Sequence, residues 1–205
     1  MTEETGTLTD AELATLDVGI GVDRSASMGR PSHRNPRRTR YQDLQEDAGR
    51  LIRAFGQFDS DGLTVAFFNS AVKVVDNVTA DAVDNLFLEY SPAGGTDTAG
   101  CIRALTSKAV ESTKPFVGVI WTDGEPQDED DVIKALREAA NKTKGRPKFG
   151  LVIIQTGNDP GATRYLQRLD SGLASQGVPD MVAVVTVEAA ENLTAGQIAW
   201  LAQNK

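Results

Sequence analysis

Cysteine and histidine are almost absent from this sequence, which contains one of each in 205 residues. The single cysteine, Cys101, cannot form an internal disulfide, so nothing here argues for an oxidising compartment. The only histidine, His33, lies in an irregular segment, and no Ser-His-Asp set can be assembled around it. These shortages exclude a disulfide-linked scaffold and disfavour a histidine-based hydrolase.

Long apolar runs are also missing. No stretch approaches the ~18 apolar residues of a membrane span, and the acidic, polar N-terminus lacks the basic start and apolar core of a secretory signal. The net charge of −8 disfavours a nucleic-acid binder, because such proteins usually carry a basic surface. We therefore expect a cytoplasmic protein that binds neither membranes nor nucleic acid.

Positive charge is concentrated in one segment, residues 30–40, which contains five arginines and no Asp or Glu. A basic patch on an acidic protein is able to attract an acidic partner, although a solvated loop that simply carries arginine fits the composition as well. We hypothesise that these side chains widen a contact surface for an acidic partner. The arginines are Arg30, Arg34, Arg37, Arg38 and Arg40.

Apolar runs alternate with longer amphipathic segments along the chain, which predicts an α/β fold. Runs such as V-G-V-I-W and F-G-L-V-I-I are apolar throughout, as expected of strands that are covered on both faces. The gap at Asn69–Ser70 is short enough for a tight hairpin, which predicts one antiparallel edge strand. The predicted fold is a doubly wound, mostly parallel six-stranded sheet with helices on both faces, formed by a single domain over residues 15–205 after a loosely attached tail over residues 1–14.

Three polar segments follow apolar runs or begin helices, and each offers oxygen ligands. They are D-R-S-A-S (residues 23–27), G-G-T-D-T (94–98) and T-D-G-E-P (122–126). In open α/β sheets, ligands bind beyond the carboxyl ends of the strands, so we expect these segments to meet there. The carboxylates and hydroxyls suit Mg²⁺, Mn²⁺ or Ca²⁺ better than zinc. The candidate metal residues are Asp23, Ser25, Ser27, Thr96 and Asp123.

The order and spacing of these segments resemble the metal ion-dependent adhesion site of von Willebrand factor A-like domains. The resemblance extends over about residues 15–205 and implies that family's Rossmann-like fold. It implies that Ser25 and Ser27 bind the metal directly, that Thr96 binds directly or through water, and that Asp23 and Asp123 act through water or hydrogen bonds.

The resemblance further implies a protein-interaction module rather than an enzyme. If the direct ligands are mainly neutral hydroxyls, the cation keeps a strong field and an open position, which a carboxylate from a partner protein can fill. Intracellular relatives of this kind serve in ATPase-associated assemblies, in stress responses such as tellurium resistance, or in phage and other particles.

Other interpretations stay open at this stage. The D-x-S-x-S segment is also typical of a helix cap or hydrogen-bonded turn. An aspartate after the first strand is shared with Mg²⁺-dependent phosphatases, although their acid/base carboxylate is replaced here by Ser25. A structural domain with a degenerate metal site is the third alternative. Asp97 is either a second-sphere ligand or a loop carboxylate, and Asp128–Asp131 is either a second cation site or the acidic start of a helix.

Overall fold

A computed structural model describes residues 5–59, 61–124 and 126–205 of the chain. In this part, six strands are found at β1 (Asp17–Asp23), β2 (Leu63–Phe68), β3 (Val72–Val78), β4 (Phe116–Thr122), β5 (Phe149–Gln155) and β6 (Val182–Thr186). The helices are α1 (Asp10–Leu13), α2 (Arg40–Phe55), α3 (Val83–Leu86), α4 (Thr98–Glu111), α5 (Glu129–Thr143), α6 (Pro160–Gly172), α7 (Val187–Ala190) and α8 (Ala195–Gln203).

The strands form one sheet in the order β3-β2-β1-β4-β5-β6. All neighbouring pairs are parallel except β2 and β3, which are antiparallel and joined through Asn69–Ser70. The predicted sheet, including its antiparallel edge strand, is therefore confirmed. The strand order reverses between β1 and β4, and their carboxyl ends form the crevice where doubly wound folds bind ligands.

Helices cover both faces of the sheet. Successive apolar side chains of a strand point to opposite faces, so each face has a core for the helices to pack against. The core on one face joins Ile20 and Val22 of β1 to α2 and α8. The other core joins Ile120 of β4 to α4, α5 and α6. Trp121 is almost fully buried in the first core and Cys101 in the second.

Two glycines of β1 allow α4 to pack closely against the sheet. A Cβ atom on Gly19 would lie 2.7 Å from a methyl carbon of Leu105, and one on Gly21 would lie 2.7 Å from Sγ of Cys101. Such distances are too short for normal packing, so side chains at these positions would push α4 away from β1. The glycines thus hold the start of α4, at Thr98, next to the end of β1.

The N-terminal segment differs from the prediction of a loosely attached tail over residues 1–14. Residues 1–4 lie outside the described part, but the N–H of Leu8 donates to the carbonyl of Gly196 at 3.1 Å, and Leu13 is buried. A capping box between Thr9 and Glu12 starts α1. The leucines of this otherwise polar segment, Leu8 and Leu13, belong to the same core as residues of α8 and so attach the segment to the domain.

Two helices, α7 and α8, follow the last strand, and a capping box at Thr194 and Gln197 starts the second one. Among the described helices, none combines the length and apolarity needed to cross a lipid bilayer.

Candidate metal centre

The first polar turn begins where β1 ends, at Asp23. The carboxylate of Asp23 accepts a hydrogen bond from the N–H of Ser25 at 2.7 Å, which bends the chain into a short 3₁₀ turn over Ala26–Gly29. This bond is the hydrogen-bonded turn that the sequence also allowed. The hydroxyl of Ser25 does not cap the 3₁₀ turn, however, so it is left for another role.

A chain of hydrogen bonds connects this turn to the end of β4. The hydroxyls of Ser25 and Ser27 lie 2.9 Å apart, and the hydroxyl of Ser27 donates to Oδ1 of Asp123 at 2.9 Å. The hydroxyl of Thr122 donates to Oδ2 of Asp23 at 2.7 Å. Four of the five predicted metal residues therefore lie together at the strand ends, although Asp23 and Asp123 are 100 positions apart in the sequence.

Thr96 comes from a separate loop between α3 and α4. Its loop is tied to the first turn by the N–H of Ala26, which donates to the carbonyl of Gly94 at 3.0 Å. The φ of +74° at Gly94 is a backbone conformation that glycine adopts readily. Thr96 is itself buried, but among the described residues its side chain takes no part in the hydrogen bonds that connect the other four.

The two nearby acidic segments act as helix starts. Asp97 accepts a hydrogen bond from the N–H of Gly100 at 2.8 Å and caps α4. Asp128 caps α5 in the same way through the N–H of Asp131, at 3.0 Å. Of the alternatives left open by the sequence, the geometry supports the helix-start interpretation for Asp128–Asp131 and gives Asp97 a capping role.

The oxygen positions fit a small divalent cation. Two ligands bound at right angles at about 2.1 Å from an octahedral ion are ~3.0 Å apart. The separations between Ser25 and Ser27 and between Ser27 and Asp123 are both 2.9 Å; these contacts are hydrogen bonds in the structure, and their lengths also match such a ligand spacing. Among the described residues, no group of three or more His, Cys, Asp and Glu side chains is arranged to hold a metal. The candidate set depends instead on hydroxyls combined with two carboxylates.

Asp23 is the most perturbed acid of the site. It has no solvent exposure, and this burial raises the pKa of its carboxyl to about 6. The hydrogen bond from Thr122 opposes the rise in pKa, whereas the charge of Asp123 adds to it. A carboxylate that is buried beside a second one gains from a nearby cation, because the cation offsets both the lost hydration and the mutual repulsion.

A cation from the protein itself already contacts the site, and sequence reasoning missed it. Nη1 of Arg40 lies 2.6 Å from Oδ2 of Asp123. The two side chains border a cavity of about 180 Å³ that is also lined by Ser27, Arg30 and Asp159. In the sequence, Arg40 is only one of the five arginines of segment 30–40. Nothing in the sequence indicates that helix α2 begins next to the end of β4.

Two more arginines of segment 30–40, besides Arg40, bind acidic residues of the same chain. Arg34 contacts Asp43 and Glu191 and donates to Asp47 at 2.7 Å. Arg38 donates to the Asp43 carboxylate at 2.8 Å, and His33 contacts Glu188. This part of the basic patch therefore anchors the loop to α2 and to the α7 region.

The role of Arg34 as an anchor gives a testable expectation. Replacing Arg34 with alanine should lower the free energy of unfolding by about 1 kcal/mol, because Asp47 and the largely buried Asp43 would lose a charged partner. Urea denaturation at neutral pH measures this. Arg37→Ala serves as the control, because Arg37 is exposed and forms no ion pair with the described residues. Equal stability losses in the two variants would contradict an anchoring role.

Comparisons with known proteins show the fold. No family model and no curated protein sequence matches the chain. Solved structures do: a mutant of the PilB minor pilin from Streptococcus sanguinis superposes with a TM-score of 0.62 at 13% identity, over 98% of this chain and 61% of that one. Manganese-loaded TRAP protein from Plasmodium vivax gives a TM-score of 0.60 at 19% identity, over 93% of this chain and 74% of that one.

A von Willebrand factor type A protein from Catenulispora acidiphila gives a TM-score of 0.50 at 13% identity, over 92% of this chain and 42% of that one. This chain thus spans less than two thirds of the PilB and Catenulispora chains. At such identities the matches show the fold alone. The chain has a von Willebrand factor A-like fold.

Proposed function

We propose that this chain, with its von Willebrand factor A-like fold, is a metal-dependent protein-interaction module. A divalent cation, Mg²⁺ or else Mn²⁺ or Ca²⁺, would be held at the carboxyl ends of β1 and β4 and would accept a carboxylate from a partner protein. The observation that carries the proposal is the continuous chain of oxygens from Ser25 through Ser27 to Asp123, with spacings of 2.9 Å.

The burial and contacts of each residue indicate the role that it would have in holding the cation. Ser25, Ser27 and Thr96 would supply neutral hydroxyl oxygens. Asp23 has both carboxylate oxygens engaged, by the N–H of Ser25 and the hydroxyl of Thr122, so it would shape the turn and contribute charge from behind. A cation held mainly by neutral groups stays electrophilic, and Mg²⁺ commonly keeps water ligands that can exchange.

The similar structures support this proposal without testing it. The matching TRAP structure is manganese-loaded, and another match, SpaC from Lactobacillus rhamnosus GG, is a pilus adhesin with a TM-score of 0.60 at 14% identity, over 92% of this chain and 30% of that one. Adhesion and metal loading belong to those proteins. The cytoplasmic setting and the links to ATPases, tellurium resistance and phage particles remain predictions from the sequence.

The partner surface would include only part of the basic segment. Arg34 and Arg38 are paired within the chain, whereas Arg30 and Arg37 are exposed. Arg30 also lines the cavity beside Ser27. We infer that Arg30 and Arg37 supply the positive charge that attracts an acidic partner toward the cation.

Binding suits the site better than catalysis, the main alternative. In a phosphatase of the aspartate-nucleophile type, an aspartate oxygen must reach the phosphorus. Asp23 is fully buried and both of its oxygens accept hydrogen bonds. We therefore propose that the chain is not an enzyme. Phosphatase turnover that requires Mg²⁺ and disappears in Asp23→Asn would contradict this.

Selection from a displayed peptide library tests the proposed function. The protein is immobilised in 5 mM Mg²⁺, and bound peptides are released with a chelator. We expect the released peptides to share an Asp or Glu, because the open metal position requires a carboxylate. Immobilised protein with Ser25→Ala and Ser27→Ala should retain none of them, whereas Ser171→Ala, an exposed change on α6, should retain them all. Enriched peptides without an acidic residue, or peptides that the chelator does not release, would overturn the proposal.

A further inference from the structure

The ion pair between Arg40 and Asp123 is built into the metal centre rather than lying on its surface. The side chain of Arg40 is 16% exposed and that of Asp123 is 7% exposed. Arg40 begins α2, and its N–H donates to the carbonyl of Arg30 at 2.9 Å, which closes the basic segment into a loop. Its guanidinium also packs against Gly157, where a Cβ atom would lie 3.3 Å from Cζ. These contacts hold the guanidinium at the end of β4.

The pair uses the carboxylate that the metal centre also needs. Oδ1 of Asp123 accepts a hydrogen bond from Ser27, and Oδ2 accepts one from Arg40. The negative charge of Asp123 is thus already balanced by a positive charge of the protein. A divalent cation beside Ser27 would share Asp123 with a guanidinium of like charge, in a partly buried setting where such repulsion is weakly screened.

We infer that Arg40 is an internal counter-ion that sets the metal affinity of this centre. The inference rests on the proposed function. In the metal-free protein, Arg40 neutralises Asp123 and stabilises the site. When a cation binds, the repulsion between it and Arg40 lowers the affinity below the value that the oxygen ligands alone would give. Arg40 contacts Asp123 and would not touch the cation, so it is a positioning residue and not a metal ligand.

Neutral substitutions of Arg40 separate its charge from its packing. Arg40→Gln keeps a hydrogen-bond donor toward Asp123, and Arg40→Met keeps the length of the side chain, but both remove the charge. Arg40→Lys keeps the charge. Arg38→Gln is the matched control, because Arg38 belongs to the same loop but pairs with Asp43 and Glu46. The full chain is used throughout, and circular dichroism checks that each variant folds.

Calorimetric titration with Mg²⁺ and with Mn²⁺ gives the dissociation constants. We expect Arg40→Gln and Arg40→Met to bind both metals at least ~5-fold more tightly than the wild type, within the usual range for coupled charges. Arg40→Lys and Arg38→Gln should stay within about twofold of the wild type, since coupling of this kind needs the charge itself to change. The melting temperature of Arg40→Gln in chelator should fall, while its rise on adding Mg²⁺ should grow. If Arg40 had a purely structural role, its substitution would lower the melting temperature in chelator without enlarging the rise that Mg²⁺ causes.

The outcomes distinguish this inference from the function on which it rests. If the wild type binds metal and both neutral variants bind it equally or more weakly, the counter-ion role is wrong and the metal centre stands. If neither the wild type nor any Arg40 variant binds Mg²⁺ or Mn²⁺, the proposed function fails and the inference falls with it. Binding that appears only in the neutral variants would support the repulsion by Arg40 but contradict the proposed function, because the wild-type protein would then hold no metal.

Discussion

Replacing Ser25 and Ser27 together with alanine should abolish the stabilisation that Mg²⁺ gives to the wild-type protein. A ligand that binds only the folded state raises the free energy of unfolding by RT ln(1 + [L]/Kd), or about 2.7 kcal/mol at roughly 100 times Kd. The two hydroxyls lie 2.9 Å apart, and that of Ser27 donates to Asp123 at 2.9 Å. Without them, the cation would lose two of the three neutral oxygens that are proposed to hold it.

Thermal melting with excess chelator and with millimolar Mg²⁺ measures this effect. The matched control is Ser171→Ala, which removes an exposed serine hydroxyl near the C-terminal end of α6. We expect the control to show the same Mg²⁺-dependent rise in melting temperature as the wild type. A rise of equal size in the double variant would mean that the metal binds elsewhere on the protein. No rise in the wild type would favour the alternative of a degenerate, structural site.

Replacing Asp23 with asparagine should remove a pH-dependent loss of stability from the metal-free protein. Burial raises the pKa of Asp23 to about 6, above its ordinary value of 3.8. At pH values between these two pKa values, Asp23 therefore keeps its proton in the folded state and releases it in the unfolded state. This contribution to stability is fully present below the unfolded pKa and is lost as the pH rises through about 6. Between pH 4.5 and pH 7.5 the wild type should lose about 2 kcal/mol that Asp23→Asn does not lose.

Urea denaturation in chelator at these two pH values gives the comparison. The other carboxyl groups titrate in both proteins, so the difference between the two pH dependences isolates Asp23. Asp81→Asn, a change at an exposed turn after β3, should follow the wild type. Adding Mg²⁺ at pH 7.5 should stabilise the wild type more than Asp23→Asn, because only the carboxylate offers charge to the cation. Parallel pH dependences for wild type and Asp23→Asn would show that burial does not perturb this acid.

The local part of the site could be predicted because it depends on short-range rules. Parallel strands end at the same edge of a sheet, so polar residues after β1 and β4 had to be neighbours once the fold class was known. Asp23, Ser25, Ser27 and Asp123 do lie together. Thr96 is placed less directly, since its loop follows no strand and depends on how the chain crosses between α3 and α4.

The basic segment shows where such reasoning fails. Its five arginines suggested one surface for an acidic partner, but their contacts divide them. Arg34 and Arg38 pair with acidic residues of α2, whereas Arg40 binds Asp123, 83 positions away in the sequence. A side chain as long as that of arginine reaches whatever acid the fold brings near. Its partner is therefore decided by tertiary packing and not by local sequence.

The sequence by itself determined the order of strands and helices along the chain, the antiparallel edge strand and the oxygen-rich turn after β1. These features follow from apolar periodicity and from the short range of turn hydrogen bonds. Only the tertiary structure decided that Thr122 orients Asp23, that Arg40 neutralises Asp123, and that residues 6–13 pack onto the sheet domain. Each of these contacts joins residues far apart in the chain, and their meeting depends on how helices and strands pack around the two cores.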